Sequence, residues 1–311
     1  MKTNLIKKMI LAVIVVAGVY LVSCNKERLI RPSIQTSNLE SFFKANAAQR
    51  QSFRIQNSQY QSITGSKGTI LTFRPNTFVN ANGSAVTGEV EIFLREIYDK
   101  ADMILSNKPT MATDGILVSG GEISVEAFQN GNELKLAPGM TISASFPKNG
   151  TELPMKYFDG QEEDGQVLWT LGDTTITVQD SSNYCMPAYY CLELEDVNWA
   201  NCDYYFNDPR PLTDIEIEVP ENMNDTNTAV FLVPDNDNIV IRLYEFNNGK
   251  FSVGWGYQVP VGLKGTLVAI SEINGNFSSA FLHTTITQNH YQSLVFSPTT
   301  LAQFTSDLSN L

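Results

Sequence analysis

The sequence predicts an all-β protein: two β-sandwich domains, with a short helix at the C-terminus. Three observations carry that expectation. From Glu89 to Arg95 the residues alternate strictly, with Val90, Ile92 and Leu94 on one side and Glu89, Glu91, Phe93 and Arg95 on the other. A period of two is the mark of a half-buried strand. Ile123, Val125 and Ala127 repeat it, with Glu122, Ser124 and Glu126 expected outside. Asn82-Gly83, Asn130-Gly131, Asn248-Gly249 and Asn274-Gly275 separate such runs, and Asn-Gly supplies the two positive φ angles of a tight hairpin.

At 311 residues there is room for two domains of ordinary size, and a hydrophobic content of 42% is enough to build cores. The formal charge is −12. Without Met1–Ser23, which holds three lysines and no acid, the chain has 18 basic against 33 acidic residues, or −15. That excludes a basic footprint for nucleic acid and broad docking on anionic lipid.

Residues 1–23 read as a lipoprotein signal peptide. Lys2, Lys7 and Lys8 give a positive start, and Met9–Val22 is an apolar run too short to span a membrane comfortably. Leu21-Val22-Ser23-Cys24 resembles a bacterial lipobox, so Cys24 is expected to carry acyl chains that hold the protein to a membrane. The alternative is an uncleaved anchor. Residues 24–52 read as a tether with a short helix over Asn38–Ala48, where Leu39, Phe42 and Phe43 are apolar. Residues 53–180 form the first sandwich, with Ile142, Ala144 and Phe146 on one side of a strand that closes it and plausible strands at Gln166–Thr170 and Thr174–Val178.

Residues 181–212 are dense in aromatics, among them Tyr184, Tyr189, Tyr190, Trp199, Tyr204, Tyr205 and Phe206. They are expected to form an interdomain joint, with Trp199, Tyr204 and Tyr205 acting there as a wedge or as a ligand platform. Residues 213–311 resume the alternation, with Ile215, Ile217 and Val219 against acids, and read as a second sandwich, Ig-like or similar. Ser297 or Thr299 is expected to cap a final helix whose stripe is Leu301, Phe304, Leu308 and Leu311.

The order Gly68-Thr69, Arg74-Pro75-Asn76, Phe78-Val79, Asn82-Gly83 and Val86-Thr87-Gly88 resembles the opening of ZU5-like β-sandwich domains. It is closest to the version in envelope lipoproteins of Bacteroidota. Asp102-Met103-Ile104-Leu105-Ser106, Gly120-Gly121, Trp199-Ala-Asn-Cys-Asp203 and Asn207-Asp-Pro-Arg-Pro211 extend the resemblance over Ile63–Thr213. It implies a fold and a compartment, the outer membrane of a Gram-negative envelope, with either the periplasmic or the surface face open. Some eukaryotic ZU5 domains cleave themselves at a His-Phe-Ser site. This sequence has no such tripeptide, so that activity is not carried over.

Cys185, Cys191 and Cys202 remain once Cys24 is set aside. Cys202 lies in the motif shared with the family, which implies a place in a packed core without a Cys partner. Cys185 and Cys191 would then pair across a short loop in an oxidising compartment. The alternative leaves all three as thiols.

Signs of catalysis are few. His283 and His290 are the two histidines and have no nucleophile motif near them. Glu193, Glu195, Asp196, Asp203, Asp208 and Asp214 bracket the aromatic stretch, but a hydrolase needs two carboxylates facing each other across a cleft. Asp235-Asn-Asp-Asn238 and Asn222-Met-Asn-Asp225 offer oxygen ligands without the spacing of a calcium loop, and turn chemistry explains them better. The sequence therefore predicts no catalytic residue, metal or cofactor. The expected role is non-enzymatic: binding, adhesion or scaffolding by a lipid-anchored envelope protein with an unknown protein or glycan partner. The alternatives are carbohydrate or peptide capture serving an outer-membrane importer, and a hydrolase using acidic residues.

Overall fold

The computed structural model describes residues 38–311 apart from 149, 151–152, 164–165, 178–184 and 255. The expected signal peptide, Cys24, most of the tether and Tyr184 lie outside the described residues. The chain enters through helix α1 (Asn38–Asn46), which buries Leu39, Phe42 and Phe43. Strands β1 (Arg50–Gln56), β2 (Gln61–Thr64), β3 (Ile70–Phe73), β4 (Phe78–Asn80) and β5 (Glu89–Ile97) follow. Helix α2 (Lys100–Leu105) starts at Asp99, whose carboxylate accepts from the Asp102 N–H at 2.8 Å. Next come β6 (Met111–Ala112), β7 (Gly115–Gln129), β8 (Asn132–Leu136) and β9 (Ile142–Pro147). The first half ends with β10 (Lys156–Glu163), β11 (Gln166–Leu171), β12 (Tyr189–Leu194) and β13 (Trp199–Tyr205).

These strands make a large sheet in the order β1-β5-β7-β13-β10-β11-β6, extended by β8 on β7 and β4 on β8, and a small sheet, β12-β9-β3-β2. The two sheets share one core. Val90, Ile92 and Leu94 of β5 and Ile123, Val125 and Ala127 of β7 meet Leu71, Phe73, Ile142, Ala144 and Phe146 from the small sheet. Each of these Val, Leu, Ile and Phe side chains contributes about 1.5–3 kcal/mol by leaving water.

The second half holds β14 (Leu212–Thr213), β15 (Ile215–Glu218), β16 (Thr228–Pro234), β17 (Ile241–Leu243), β18 (Glu245–Asn247) and β19 (Lys250–Ser252). It continues with β20 (Val259–Pro260), β21 (Lys264–Ile273), β22 (Asn276–Thr285), β23 (His290–Ser293), β24 (Ser297–Pro298) and helix α3 (Leu301–Leu308). One sheet runs β17-β16-β21-β22-β24, a second β18-β19-β15-β23, and β14 pairs with β20. The fold is thus all-β with a short C-terminal helix.

The halves are joined by side chains and backbone. Phe42 of α1 lies 5.1 Å from Phe277 and 6.3 Å from Phe304 of α3, so the first and last helices close over one cluster. Ser119 N–H donates to the Asn238 carbonyl at 2.9 Å, and the Asn238 carboxamide donates back to the Ser119 and Tyr98 carbonyls. Thr110 N–H reaches the Val240 carbonyl at 2.9 Å, and Tyr257 O–H reaches that of Ala112 at 2.6 Å. The described residues pack as one compact unit.

Several sequence expectations change here. The stretch expected as a joint holds two strands of the first half: β12 pairs with β9, and β13 lies between β7 and β10. Alternation in Tyr189–Leu194 was masked by the density of aromatic rings. Glu122 and Ser124, expected outside, are buried, because β7 is covered on both faces. Asn130-Gly131, Asn248-Gly249 and Asn274-Gly275 do form two-residue hairpins with positive φ at both positions. Asn82 does not adopt positive φ, and its carboxamide oxygen accepts from the Ser84 N–H instead. Of Thr174–Val178, expected as a strand, Val178 lies outside the described residues and the rest contributes one bridge at Thr177. Thr300 caps the last helix, and Leu301 faces solvent while Phe304 and Leu308 are buried.

Candidate functional site

The small sheet has one face in the core and one open. Along β9, Ile142, Ala144 and Phe146 point in, which turns Ser143 and Ser145 out. In β3, Leu71 and Phe73 point in and Thr72 out; in β12, Tyr190, Leu192 and Leu194 point in and Cys191 and Glu193 out. Register sets Thr72 beside Ser143 and Ser143 beside Glu193. The open face is therefore floored by small hydroxyls, and it forms a groove of about 580 Å³.

The walls rise from the connections. Tyr60, 62% exposed, and Arg74 with Pro75 stand at one side. Thr174–Thr177 and the Cys185–Cys191 disulfide stand at the other. Thr177 is tied to the edge of β12 by reciprocal backbone bonds to Cys191 of 2.7 and 2.9 Å. Glu193 accepts from the hydroxyls of Thr141 and Ser143 and faces Arg74 at 3.7 Å. This groove can offer paired hydroxyl donors and acceptors, one aromatic ring and one balanced ion pair.

Trp199, Tyr204 and Tyr205 are not an exposed platform. Trp199 is 5% exposed, edge-on to Trp169 at 6.4 Å, and donates its indole N–H to Glu162 at 2.7 Å. It packs in a cluster that includes Phe158 of the first half and Phe231 of the second. Tyr205 joins the same cluster and bonds Asp114, while Tyr204 packs on the core of the second half. The backbone is strand, but these rings do fill the junction between halves.

Beneath that junction lies a buried polar group. Glu122 and Asp203 have no exposed surface. Burial pushes both carboxyls well above the ordinary range. Asp203 is held back by donors, including the Gly120 N–H at 3.2 Å and the Asn201 carboxamide at 2.6 Å. Both Glu122 oxygens and the carboxamide oxygen of its strand neighbour Asn201 lack a partner. Lys108 sits above, 3.0 Å from Glu162 and 5.0 Å from the Trp199 ring. Burial lowers its pKa despite Glu162. Of the bracketing acids, Asp203 joins this buried group and Glu193 lines the open groove.

Cys185 and Cys191 are bonded to each other, and Cys202 is a buried thiol whose pKa burial pushes well up. His283 pairs with Asp235 on the surface at 3.0 Å. His290 is buried, and its Nδ1 accepts from the Thr287 N–H at 3.2 Å. Among the described residues no group of three or more His, Cys, Asp or Glu is placed to hold a metal. Asp235 and Asp237 line a second, smaller groove with Arg210 and Lys264.

Sequence reasoning missed Tyr60, Thr72, Arg74, Ser143 and Ser145. The signal was present, since Ser143 and Ser145 alternate with the apolar residues that marked the strand. No family model and no curated protein matches the sequence.

Proposed function

We propose that the protein is a lipid-anchored, non-enzymatic binding protein of a Gram-negative envelope, attached through Cys24, with a ZU5-like first half. The observation that supports binding is the open, hydroxyl-floored groove on the small sheet. The groove is rigidly framed: its floor is the back of a packed core, and one wall is fixed by a disulfide and a backbone bridge. A preformed site loses little freedom on capture. The hydrolase reading needed paired carboxylates facing a cleft. Glu122 and Asp203 are both sealed from solvent, and they line neither groove described above. Among the described residues no helix is long and apolar enough to cross a membrane. Anchoring through Cys24 is read from its place at the end of the apolar run.

The test is metabolic acyl labelling of the full chain in a Gram-negative host, with fractionation and surface proteolysis of intact cells. Wild type is expected to take label and sediment with outer membrane. Cys24→Ala is expected to do neither, and label persisting in that variant refutes the anchor. Pull-down from the same cells tests for a captured ligand.

A further inference from the structure

Resting on that binding reading, we infer that the groove takes a neutral, hydroxyl-rich chain, a short oligosaccharide. The floor is the first reason. Thr72, Ser143 and Ser145 are small; the Ser143 hydroxyl donates to Glu193 and keeps lone pairs for a sugar hydroxyl, while those of Thr72 and Ser145 lie 2.8 Å from the Ser62 hydroxyl and 3.4 Å from Cys191 Sγ and can take either role. Large outward side chains at these positions would fill the groove. Its size, about 580 Å³, lies within the roughly 300–1,000 Å³ of small-ligand sites.

Charge is the second reason. The cation in the groove, Arg74, faces Glu193 at 3.7 Å, so the site carries no net excess of either sign. The chain as a whole is at −12, which opposes a polyanion. An Arg–Glu pair beside hydroxyls can instead serve vicinal diols, the guanidinium donating and the carboxylate accepting.

Tyr60 is the third. Its ring is 62% exposed at the groove wall, where it can cover the apolar face of a pyranose. A peptide is a poorer fit. Strand addition along β12 would have to displace Thr177, which already bonds that edge at Cys191.

The experiment is calorimetry on the full chain in micelles of a detergent without a sugar headgroup. The probes are neutral gluco-, manno-, xylo- and galacto-hexaoses, a hexagalacturonate, and a Ser/Gly-rich decapeptide. At least one neutral hexaose is expected to bind. Tyr60→Ala is expected to weaken it about tenfold or more, with the melting profile unchanged, while Tyr60→Phe retains it. Ser145→Tyr, which fills the floor, should abolish binding and serves if Tyr60→Ala misfolds. Preferential binding of hexagalacturonate or peptide, lost in Ser145→Tyr, overturns the neutral-glycan inference and leaves the binding reading standing. Natively melting wild type that binds no probe overturns the inference. Failure of pull-down from intact cells to recover any groove-dependent ligand overturns the binding reading itself.

Discussion

Replacing Glu122 by Gln should make the protein more stable at neutral pH than it is now. Glu122 is fully buried between β5 and β13, and neither of its oxygens has a hydrogen-bond partner. Burial raises its pKa in the folded chain well above that of the unfolded chain, which is about 4.3. Between those two values the native state keeps a proton that the unfolded state has lost. Stability is therefore full below the unfolded pKa and falls as pH rises toward the folded one. One such group costs up to about 1.4 kcal/mol per pH unit. Asp203 acts in the same direction, restrained by its donors. Lys108, lowered by burial, acts with opposite sign and on the alkaline side. Glu122→Gln removes one titrating group and adds an amide donor beside the unpartnered Asn201 oxygen. Denaturant melts of the full chain in micelles at pH 5, 6 and 7 should show a shallower loss of stability in the variant. The gap between variant and wild type should widen with each step in pH. Identical slopes for variant and wild type would refute the idea that Glu122 is held protonated in the fold.

Two further substitutions test the packing. Trp199→Ala should cost about 3–5 kcal/mol, because the ring is buried in the cluster common to both halves, and the junction should open to protease; a wild-type melt and digestion pattern would show that the halves do not depend on it. Ile92→Ala should cost about 2–5 kcal/mol in denaturant melts, while Glu91→Ala, on the opposite face of β5, should stay within about 0.5 kcal/mol. Equal losses would mean the faces of β5 are wrongly assigned.

The strand faces were legible wherever one side of a strand meets the core and the other meets water. Val90, Ile92 and Leu94 announced themselves because nothing apolar interrupts them but Phe93, and Phe93 is held outside by Arg50, whose guanidinium lies 3.6 Å from its ring centroid. Asn-Gly pairs likewise placed three hairpins. The reading failed where a strand is covered twice. The Glu122 side chain looks like any solvent-facing acid, and its burial depends on residues far away in sequence that no local period reports. The same holds for Lys108, whose stem and head are enclosed by Trp199 and Glu162. These departures gather in one buried cluster, where Glu122, Asp203 and Lys108 arrive from segments distant in sequence.

The groove was hidden for the opposite reason. Its residues obey the local rule so well that they carry no warning: Ser143, Ser145 and Thr72 are what an open sheet face ordinarily shows. What turns that face into a site is the arrival of other segments at its rim. Tyr60 comes from the β1–β2 connection, Arg74 from the end of β3, and Thr177 from a segment tied to β12 by the bridge and, beyond it, the disulfide. Tyr60 and Thr177 are far in sequence from Ser143 and Ser145 on the floor. A hydroxyl ladder on a flat sheet would give each sugar one weak contact against bulk water. Walls that supply a ring on one side and an ion pair at the floor's edge let several contacts form at once, with the frame already ordered. The disulfide adds to that wall, because it seats Cys185 Sγ 3.3 Å from the Thr177 carbonyl. A Cys185→Ser, Cys191→Ser variant should therefore retain Tyr60 and the floor yet bind any groove ligand more weakly than wild type.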